Sequence, residues 1–168
     1  MKIFHYCPSC AAAVSGHGER FFVCDKCGFT LFFNVAASAS VIVCSRGEVL
    51  LLKRANDPGK GLYTVPGGFV DPGESALACA CRELYEECGM HLEQSALSFL
   101  CCGHNRYSYK GLSYHTSDIF FCAEVSDLSC LVSCAEVSSV SCVHKDRIDY
   151  SSIAFNSVRE ALRVFSRR

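Results

Sequence analysis

The chain has 168 residues, and 14 of them are cysteines, or about one residue in twelve. Hydrophobic residues make up 50% and charged residues 20%, while 16 basic and 17 acidic residues give a net charge of -1. These values are typical of a globular protein and give no support to nucleic-acid binding through excess positive charge. The chain has no apolar run near the roughly 18 residues of a membrane helix, and its beginning lacks the apolar core of a signal peptide. We therefore expect a cytoplasmic protein without a membrane or nucleic-acid partner.

The first 33 residues contain two cysteine pairs with the spacing of a metal site. Cys7 and Cys10 form one pair, Cys24 and Cys27 form the other, and two residues separate the members of each pair. Thiolates at this spacing bind a tetrahedral zinc ion from two tight turns. The alternatives are two disulfides, which a reducing compartment disfavours, and four free thiols, which the paired spacing disfavours. The sequence thus predicts structural zinc, which would supply most of the folding free energy of so short a segment.

From Asn34 onward, β-prone runs alternate with two helical segments. The patterns predict strands at 38–44, 49–53, 62–65, 98–109, 113–125 and 140–143, and helices at 74–88 and 156–165. Turns are predicted at Arg46–Gly47 and Lys110–Gly111 because each pair contains a glycine between two strand-like runs. The order of elements indicates an α/β domain.

Three glutamates of the first predicted helix lie where helix stability does not favour them. Glu83, Glu86 and Glu87 are three and four positions apart, so they share one face close to the helix C-terminus. Repulsion at this spacing and the negative end of the helix dipole each cost a few tenths of a kcal/mol to about 1 kcal/mol. Clustered oxygen ligands without His or Cys suit Mg2+ or Mn2+. A solvated acidic face is the alternative interpretation of the cluster.

The residues around these glutamates form a longer motif. It reads Gly-x5-Glu-x7-Arg-Glu-hydrophobic-x-Glu-Glu-x-Gly-hydrophobic over residues 68–90. With this motif, the chain from Asn34 onward resembles the Nudix hydrolases. The resemblance implies an α/β/α sandwich with a mixed sheet, and hydrolysis of the diphosphate linkage of a nucleoside diphosphate-X substrate by metal-activated water. We expect a small zinc ribbon over residues 1–33, as in NADH pyrophosphatase-like and ADP-ribose pyrophosphatase-like members, and a Nudix hydrolase domain over 34–168.

The resemblance also implies roles for single residues. Glu83, Glu86 and Glu87, with the backbone carbonyl of Gly68, match the family's Mg2+ or Mn2+ ligands. Arg82 matches the residue that holds the catalytic carboxylates in place, and Glu74 matches a loop acid that orients this arrangement. The general base is open, because related enzymes take it from the motif or from a later loop. Glu136 lies in that later region, and Asp118 and Glu124 are weaker candidates.

The substrate is expected to be a small nucleotide of the ADP-ribose, NADH or diadenosine polyphosphate type. Arg106, Tyr107 and Glu136 are the predicted substrate-binding residues, and Tyr107 lies near the spacing of a tyrosine in diadenosine polyphosphate hydrolases. The Ser-Gln-Pro-Trp signature of NADH pyrophosphatases is absent after the motif. An alternative is a non-catalytic nucleotide-sensing or nucleic-acid-binding Nudix module whose zinc ribbon docks a partner. A further alternative is RNA decapping, which shares the chemistry but predicts a basic channel that the near-neutral net charge does not support. A homodimer is one expected assembly, since related enzymes are often dimers.

Ten cysteines lie outside the predicted zinc site. We interpret most of them as small packing groups, because they fall on predicted strands or on the apolar face of the first helix. Cys79 points toward the carboxylates, whose negative field discourages a thiolate, so it is not expected to be a nucleophile. Cys130, Cys134 and Cys142 have no assigned role.

Overall fold

The structure is a computed structural model that describes residues 4–16, 18–109, 112–129 and 135–168. Its chain forms two compact units, Met1–Val35 and Ala36–Arg168. The turn predicted at Lys110–Gly111 lies outside the described residues, as do Cys130 and Cys134.

The first unit contains two short antiparallel strands, β1 (Phe21–Val23) and β2 (Thr30–Phe32). Its core is small: Cys7, Phe22 and Cys24 are buried, and the ring of Phe4 meets the ring of Phe22 edge-on at 4.9 Å. So few buried side chains support folding only together with a further cross-link, which agrees with the predicted need for a metal.

The second unit is built on one seven-stranded mixed sheet. Its strands are β3 (Ala36–Ser45), β4 (Glu48–Arg54), β5 (Tyr63–Thr64), β6 (Gly67–Phe69), β7 (Ser98–Tyr109), β8 (Leu112–Glu124) and β9 (Val137–His144). The order is β5-β4-β3-β8-β7, with β6 added to β3 and β9 added to β4. Only the β3–β8 pairing is parallel among these described strands.

A tight hairpin joins β3 to β4 at the predicted turn. Arg46 and Gly47 both have positive φ, at 50° and 82°. This combination belongs to the two-residue turn whose twist matches that of the flanking strands, so the predicted turn is confirmed.

Two helices cover opposite faces of this sheet. Helix α1 (Ala76–Cys88) buries Ala80 and Leu84 against Val41 and Val43 of β3. Helix α2 (Asn156–Ser166) packs with Ile42 on the other face, since neighbouring strand residues point to opposite sides. The result is the α/β/α sandwich with a mixed sheet that the resemblance implies.

Three short 3-10 turns complete the fold at Gln94–Ala96, Lys145–Arg147 and Tyr150–Ser152. Among the described residues, no helix is long and apolar enough to cross a membrane.

Candidate active site

The motif begins on β6 and continues through a loop into α1. Ser75 caps this helix, because its Oγ accepts a hydrogen bond from the Ala78 N–H at 3.1 Å. Gly89 ends it with φ at 66°, a left-handed conformation that glycine adopts readily. The last turn contains no basic residue. The glutamates near this end therefore receive no compensating charge from the last turn of the helix.

Arg82 connects the acidic residues of the motif. Its Nε donates to Glu74 Oε1 at 2.9 Å and one Nη donates to Glu74 Oε2 at 3.0 Å. The other Nη donates to Glu83 at 2.8 Å and to Glu86 at 3.1 Å, and the Phe69 carbonyl accepts a further bond. The bonds from Arg82 lower the pKa of Glu74 to about 2, and those to Glu74 raise the pKa of Arg82. The guanidinium thus orients three carboxylates at once.

Two of the glutamates lie where a negative charge is unfavourable. Burial raises the pKa of the Glu83 carboxyl, although Arg82 opposes the shift. Burial also raises the pKa of Glu87 to about 8, against the hydrogen bond that the Gly67 N–H donates to Glu87 Oε2 at 3.0 Å. The charges of Glu83 and Glu136 raise it further. A bound cation would relieve this repulsion.

The donor set fits a hard divalent cation. Glu83, Glu86 and Glu87 offer carboxylate oxygens, and the Gly68 carbonyl belongs to the β6 backbone that faces them. A Cβ at residue 68 would lie 2.2 Å from Glu83 Oε1, which is too close for a side chain. The backbone can approach this carboxylate because residue 68 is a glycine. Oxygen ligands without sulfur or imidazole are the set that Mg2+ and Mn2+ prefer.

The carboxylates line a cavity of about 420 Å³, which is large enough for part of a nucleotide. Six acidic side chains contribute to its wall, namely Asp71, Glu83, Glu86, Glu87, Asp118 and Glu136. Among the described lining residues, Arg82 is the only basic one, and its donors already bind glutamates. A diphosphate would therefore bind beside these carboxylates only together with cations, because the negative charges of the two groups repel each other.

The remaining wall of the cavity has an aromatic and a polar part. Tyr107 lies between Phe69 and Phe155, with ring-centroid distances of 5.6 and 6.0 Å. The polar part consists of Ser38, Ser40, Thr64, Asn105, Thr116, Asp118 and Ser157. Most of these polar residues were missed by sequence reasoning. The sequence signal that could have identified part of this wall is the pair Ser38 and Ser40, which interrupts the apolar run of β3.

The structure separates the three predicted substrate-binding residues. Tyr107 and Glu136 line the cavity, and Glu136 is solvent-exposed. Arg106 is exposed and does not line it; its Nε donates to Ser113 Oγ at 2.7 Å. Among the base candidates, Asp118 lines the cavity, whereas Glu124 is exposed and does not.

Cys79 is buried beneath the motif rather than exposed to the cavity. Its thiol contacts the carbonyl oxygens of Phe69 at 3.4 Å and Gly68 at 3.7 Å. Burial, followed by the charge of Glu74, raises the pKa of Cys79 to about 12. This thiol therefore ties α1 to β6 and is not a nucleophile near neutral pH.

The four cysteines of the first unit form a second candidate metal site. Their sulfur atoms all lie within 4.8 Å of one another. Cys7 and Cys27 are 3.8 Å apart, and Cys10 and Cys24 are 3.7 Å apart. A tetrahedron with zinc–sulfur bonds of about 2.3 Å has edges of roughly 3.8 Å. The sulfur arrangement therefore fits a zinc ion.

Each cysteine pair is held by the same backbone turn. The Ala11 N–H donates to the Cys7 carbonyl at 2.9 Å, and the Gly28 N–H donates to the Cys24 carbonyl at 2.8 Å. Ala11 and Gly28 also share a left-handed conformation, with φ at 56° and 71°. Ala11 therefore has a backbone conformation that glycine adopts at a lower cost in conformational free energy than alanine does.

Sequence comparisons identify relatives that are named as hydrolases. The NAD-capped RNA hydrolase NudC of Stutzerimonas stutzeri (strain A1501) is 36% identical over 88 residues, 52% of this chain and 32% of that protein. The ADP-ribose pyrophosphatase of Methanocaldococcus jannaschii is 37% identical over 62 residues, 37% of each protein. The match thus spans about a third of the length of these relatives.

Solved structures show the same fold. The Nudix hydrolase from Nitrosomonas europaea has a TM-score of 0.73 and 24% identity, and the alignment covers 98% of this chain and 91% of that one. The Nudix domain of Shewanella oneidensis NrtR, complexed with ADP ribose, has a TM-score of 0.67 and 22% identity, over 81% and 90% of the chains. The NUDIX domain family matches residues 34–151, which is most of the chain. This chain therefore belongs to the Nudix domain family.

Proposed function

We propose that this protein is a Mg2+- or Mn2+-dependent hydrolase of the diphosphate linkage in a nucleoside diphosphate-X substrate. The observation that carries the proposal is the oxygen-only cluster of Glu83, Glu86 and Glu87 at the wall of a cavity that accommodates part of a nucleotide. Arg82 orients Glu83 and Glu86, and the Gly67 N–H holds Glu87. The names of the relatives, NAD-capped RNA hydrolase and ADP-ribose pyrophosphatase, agree with this reaction class.

In this proposal the protein's own residues mainly position charge. Glu83, Glu86, Glu87 and the Gly68 carbonyl would hold the divalent ions, and Glu74 fixes Arg82 so that the carboxylates keep their orientation. A divalent metal bound there supplies charge neutralisation for the diphosphate and a lowered pKa for a bound water. Glu136 lines the same cavity and is exposed, so it stays a candidate for the general base.

We further propose that the chain consists of the two predicted domains, which have different roles. Residues 1–33 form a zinc ribbon in which Cys7, Cys10, Cys24 and Cys27 bind one structural ion, and residues 34–168 form the hydrolase domain. A cytoplasmic location and a homodimer stay predictions. The prediction that no nucleic acid takes part also stays open to test, because relatives are named for capped RNA.

A substrate panel tests the activity. Purified protein is incubated with ADP-ribose, NADH, a diadenosine polyphosphate, NAD-capped RNA or a GDP-sugar, each with Mg2+ or Mn2+, and the products are identified by mass spectrometry. We expect cleavage within the diphosphate of at least one substrate and none with a chelator. If no substrate is cleaved, and Glu87→Gln binds each of them as wild type does, the non-catalytic nucleotide-sensing alternative is correct instead.

A further inference from the structure

Asp118 is a buried carboxylate at the cavity wall that the proposed metal chemistry does not use. It lies on β8, is only 6% exposed, and belongs to the polar part of the wall. Ser38 Oγ donates to its Oδ1 at 2.7 Å. Among the residues that the structure describes, this is the only hydrogen bond of the carboxylate. A carboxylate buried to this extent ordinarily has several donors or a cation as partners.

Asp118 is open toward the cavity, because it belongs to the residues that line it. On one side Asp118 pairs with Ser38 of β3, and on the other side it pairs with Gly103 of β7, which has no side chain. A Cβ built at Gly103 would lie 3.1 Å from the Cβ of Ser157, so α2 already fills the space above this glycine. Because Arg82, the basic residue of the described wall, already binds three glutamates, no cation there is left for Asp118. The open oxygen of Asp118 is therefore available to a ligand.

The aromatic part of the wall lies on the same side of the sheet. Ser38 pairs with Asp118 on one side and with Phe69 of β6 on the other, so these three side chains project from the same face. Asp118 and Phe69 are thus two strand spacings apart, roughly 10 Å. The ring of Tyr107 stands edge-on to Phe69 at 5.6 Å. One planar ligand can therefore contact aromatic rings and the carboxylate together.

A carboxylate selects among planar ligands by their donors. It accepts two hydrogen bonds side by side, so it complements a base edge with two adjacent N–H groups, as guanine has at N1 and N2. Adenine presents one amino group beside a lone pair, which a carboxylate oxygen repels. Inosine lacks the 2-amino group, and xanthine replaces it with a carbonyl oxygen.

We propose that Asp118 is a specificity residue that binds the guanine edge of the substrate, with Ser38 as its positioning residue and the aromatic residues Phe69, Tyr107 and Phe155 against the base. The site therefore takes guanine nucleotides of the nucleoside diphosphate-X class in preference to adenine nucleotides. This inference rests on the proposed function, because hydrolysis is the reaction that would follow binding. Recognition of the base can be measured by binding alone, without hydrolysis.

The test is equilibrium binding of four nucleoside diphosphates that differ only in the base. GDP, IDP, ADP and XDP are titrated by calorimetry, in the presence of Mg2+, into the full chain, as wild type, Asp118→Asn, Ser38→Ala and Asp146→Asn. The last variant removes one acidic charge at an exposed site that does not line the cavity. An amide at position 118 offers one acceptor and one donor, which complement the N1–H and the 2-carbonyl of xanthine.

We expect wild type and Asp146→Asn to bind GDP at least about tenfold more tightly than ADP and IDP, as the loss of a two-bond contact to a base edge predicts. Asp118→Asn should lose this preference and gain affinity for XDP, a gain that a misfolded protein does not show. Ser38→Ala should reduce the preference for GDP in the same direction. Equal binding of ADP and GDP by wild type, or equal weakening of all four ligands by Asp118→Asn, would overturn the inference. A preference for GDP without hydrolysis of any guanine diphosphate derivative would contradict the proposed function alone.

Discussion

At the scale of single residues, Glu83 and Glu87 keep their side chains in a place where a carboxylate is unfavourable. Burial raises the pKa of both, and for Glu87 it does so to about 8 although the Gly67 N–H binds one oxygen. The helix dipole opposes both negative charges, and α1 has no basic residue in its last turn. Such an arrangement agrees with selection for binding a cation rather than for stability of the metal-free fold.

Glu87→Gln should raise the thermal stability of the metal-free protein and remove part of its pH dependence. The folded wild type binds a proton at Glu87 between its ordinary pKa, 4.5, and about 8, whereas the unfolded chain does not. The contribution of Glu87 to the free energy of unfolding is therefore highest below pH 4.5 and is lost as the pH rises through 8. Thermal unfolding of both proteins in chelator, at several pH values in this interval, measures the difference. Parallel pH profiles for the two proteins would contradict the expectation.

Ala11→Gly should stabilise the first unit. Ala11 has φ at 56°, in the left-handed region, whereas the matching turn has Gly28. Replacing alanine by glycine at such a position removes a steric cost, with an expected gain of up to about 1 kcal/mol. Competition with a zinc chelator measures the change as tighter zinc retention. Ala12→Gly is the matched control, since Ala12 has no positive φ, and it should weaken retention slightly or leave it unchanged.

At the scale of elements, β6 brings two adjacent glycines against different parts of the fold. A Cβ at Gly67 would lie 2.6 Å from the Ala39 carbonyl oxygen of β3, which is backbone. A Cβ at Gly68 would instead meet the Glu83 carboxylate at 2.2 Å, which is the end of a side chain. The missing side chain of Gly67 therefore serves the sheet, while its N–H binds Glu87, and the missing side chain of Gly68 serves the carboxylate cluster.

Gly67→Ala and Gly68→Ala should consequently separate stability from activity. We expect Gly67→Ala to lower the melting temperature by several degrees, because the backbone pairing of β3 and β6 must shift. Gly68→Ala should leave the melting temperature within a few degrees of wild type but lower metal-dependent hydrolysis at least about tenfold, because Glu83 must move. Equal loss of stability in both variants would show that Gly68 also serves mainly the sheet.

The elements that the sequence predicts well are those with a strong local signal. Helix α1 follows from its apolar spacing and the glycine at its end, and the β3–β4 hairpin follows from Arg46–Gly47. The polar wall around Asp118 has no such signal, because Ser38 and Asp118 are 80 residues apart and meet only through the parallel pairing of β3 with β8. The burial of Cys79 was missed for a similar reason, since the β6 backbone covers it.

At the scale of the whole molecule, the two metals should be separable in their effects. Extraction of zinc should unfold the first unit, because only three residues of its described part, Cys7, Phe22 and Cys24, form a buried core. Hydrogen exchange, read separately for residues 4–35 and 36–168, should show lost protection in the first range alone. Removal of Mg2+ should abolish hydrolysis without this change. Protection that persists in residues 4–35 of zinc-free protein would contradict the ribbon proposal.

Glu83 and Glu87 are central to the proposed activity, because we propose that they bind the divalent metal that hydrolysis requires. The direct measurement is kcat/KM for the best substrate of the panel as a function of Mg2+, for wild type, Glu87→Gln and Glu124→Gln. Glu124 is exposed and does not line the cavity, so its variant controls for net charge. We predict wild-type activity in Glu124→Gln and a loss of at least about a hundredfold in Glu87→Gln. Full activity of Glu87→Gln, or hydrolysis that continues in excess chelator, would contradict the account.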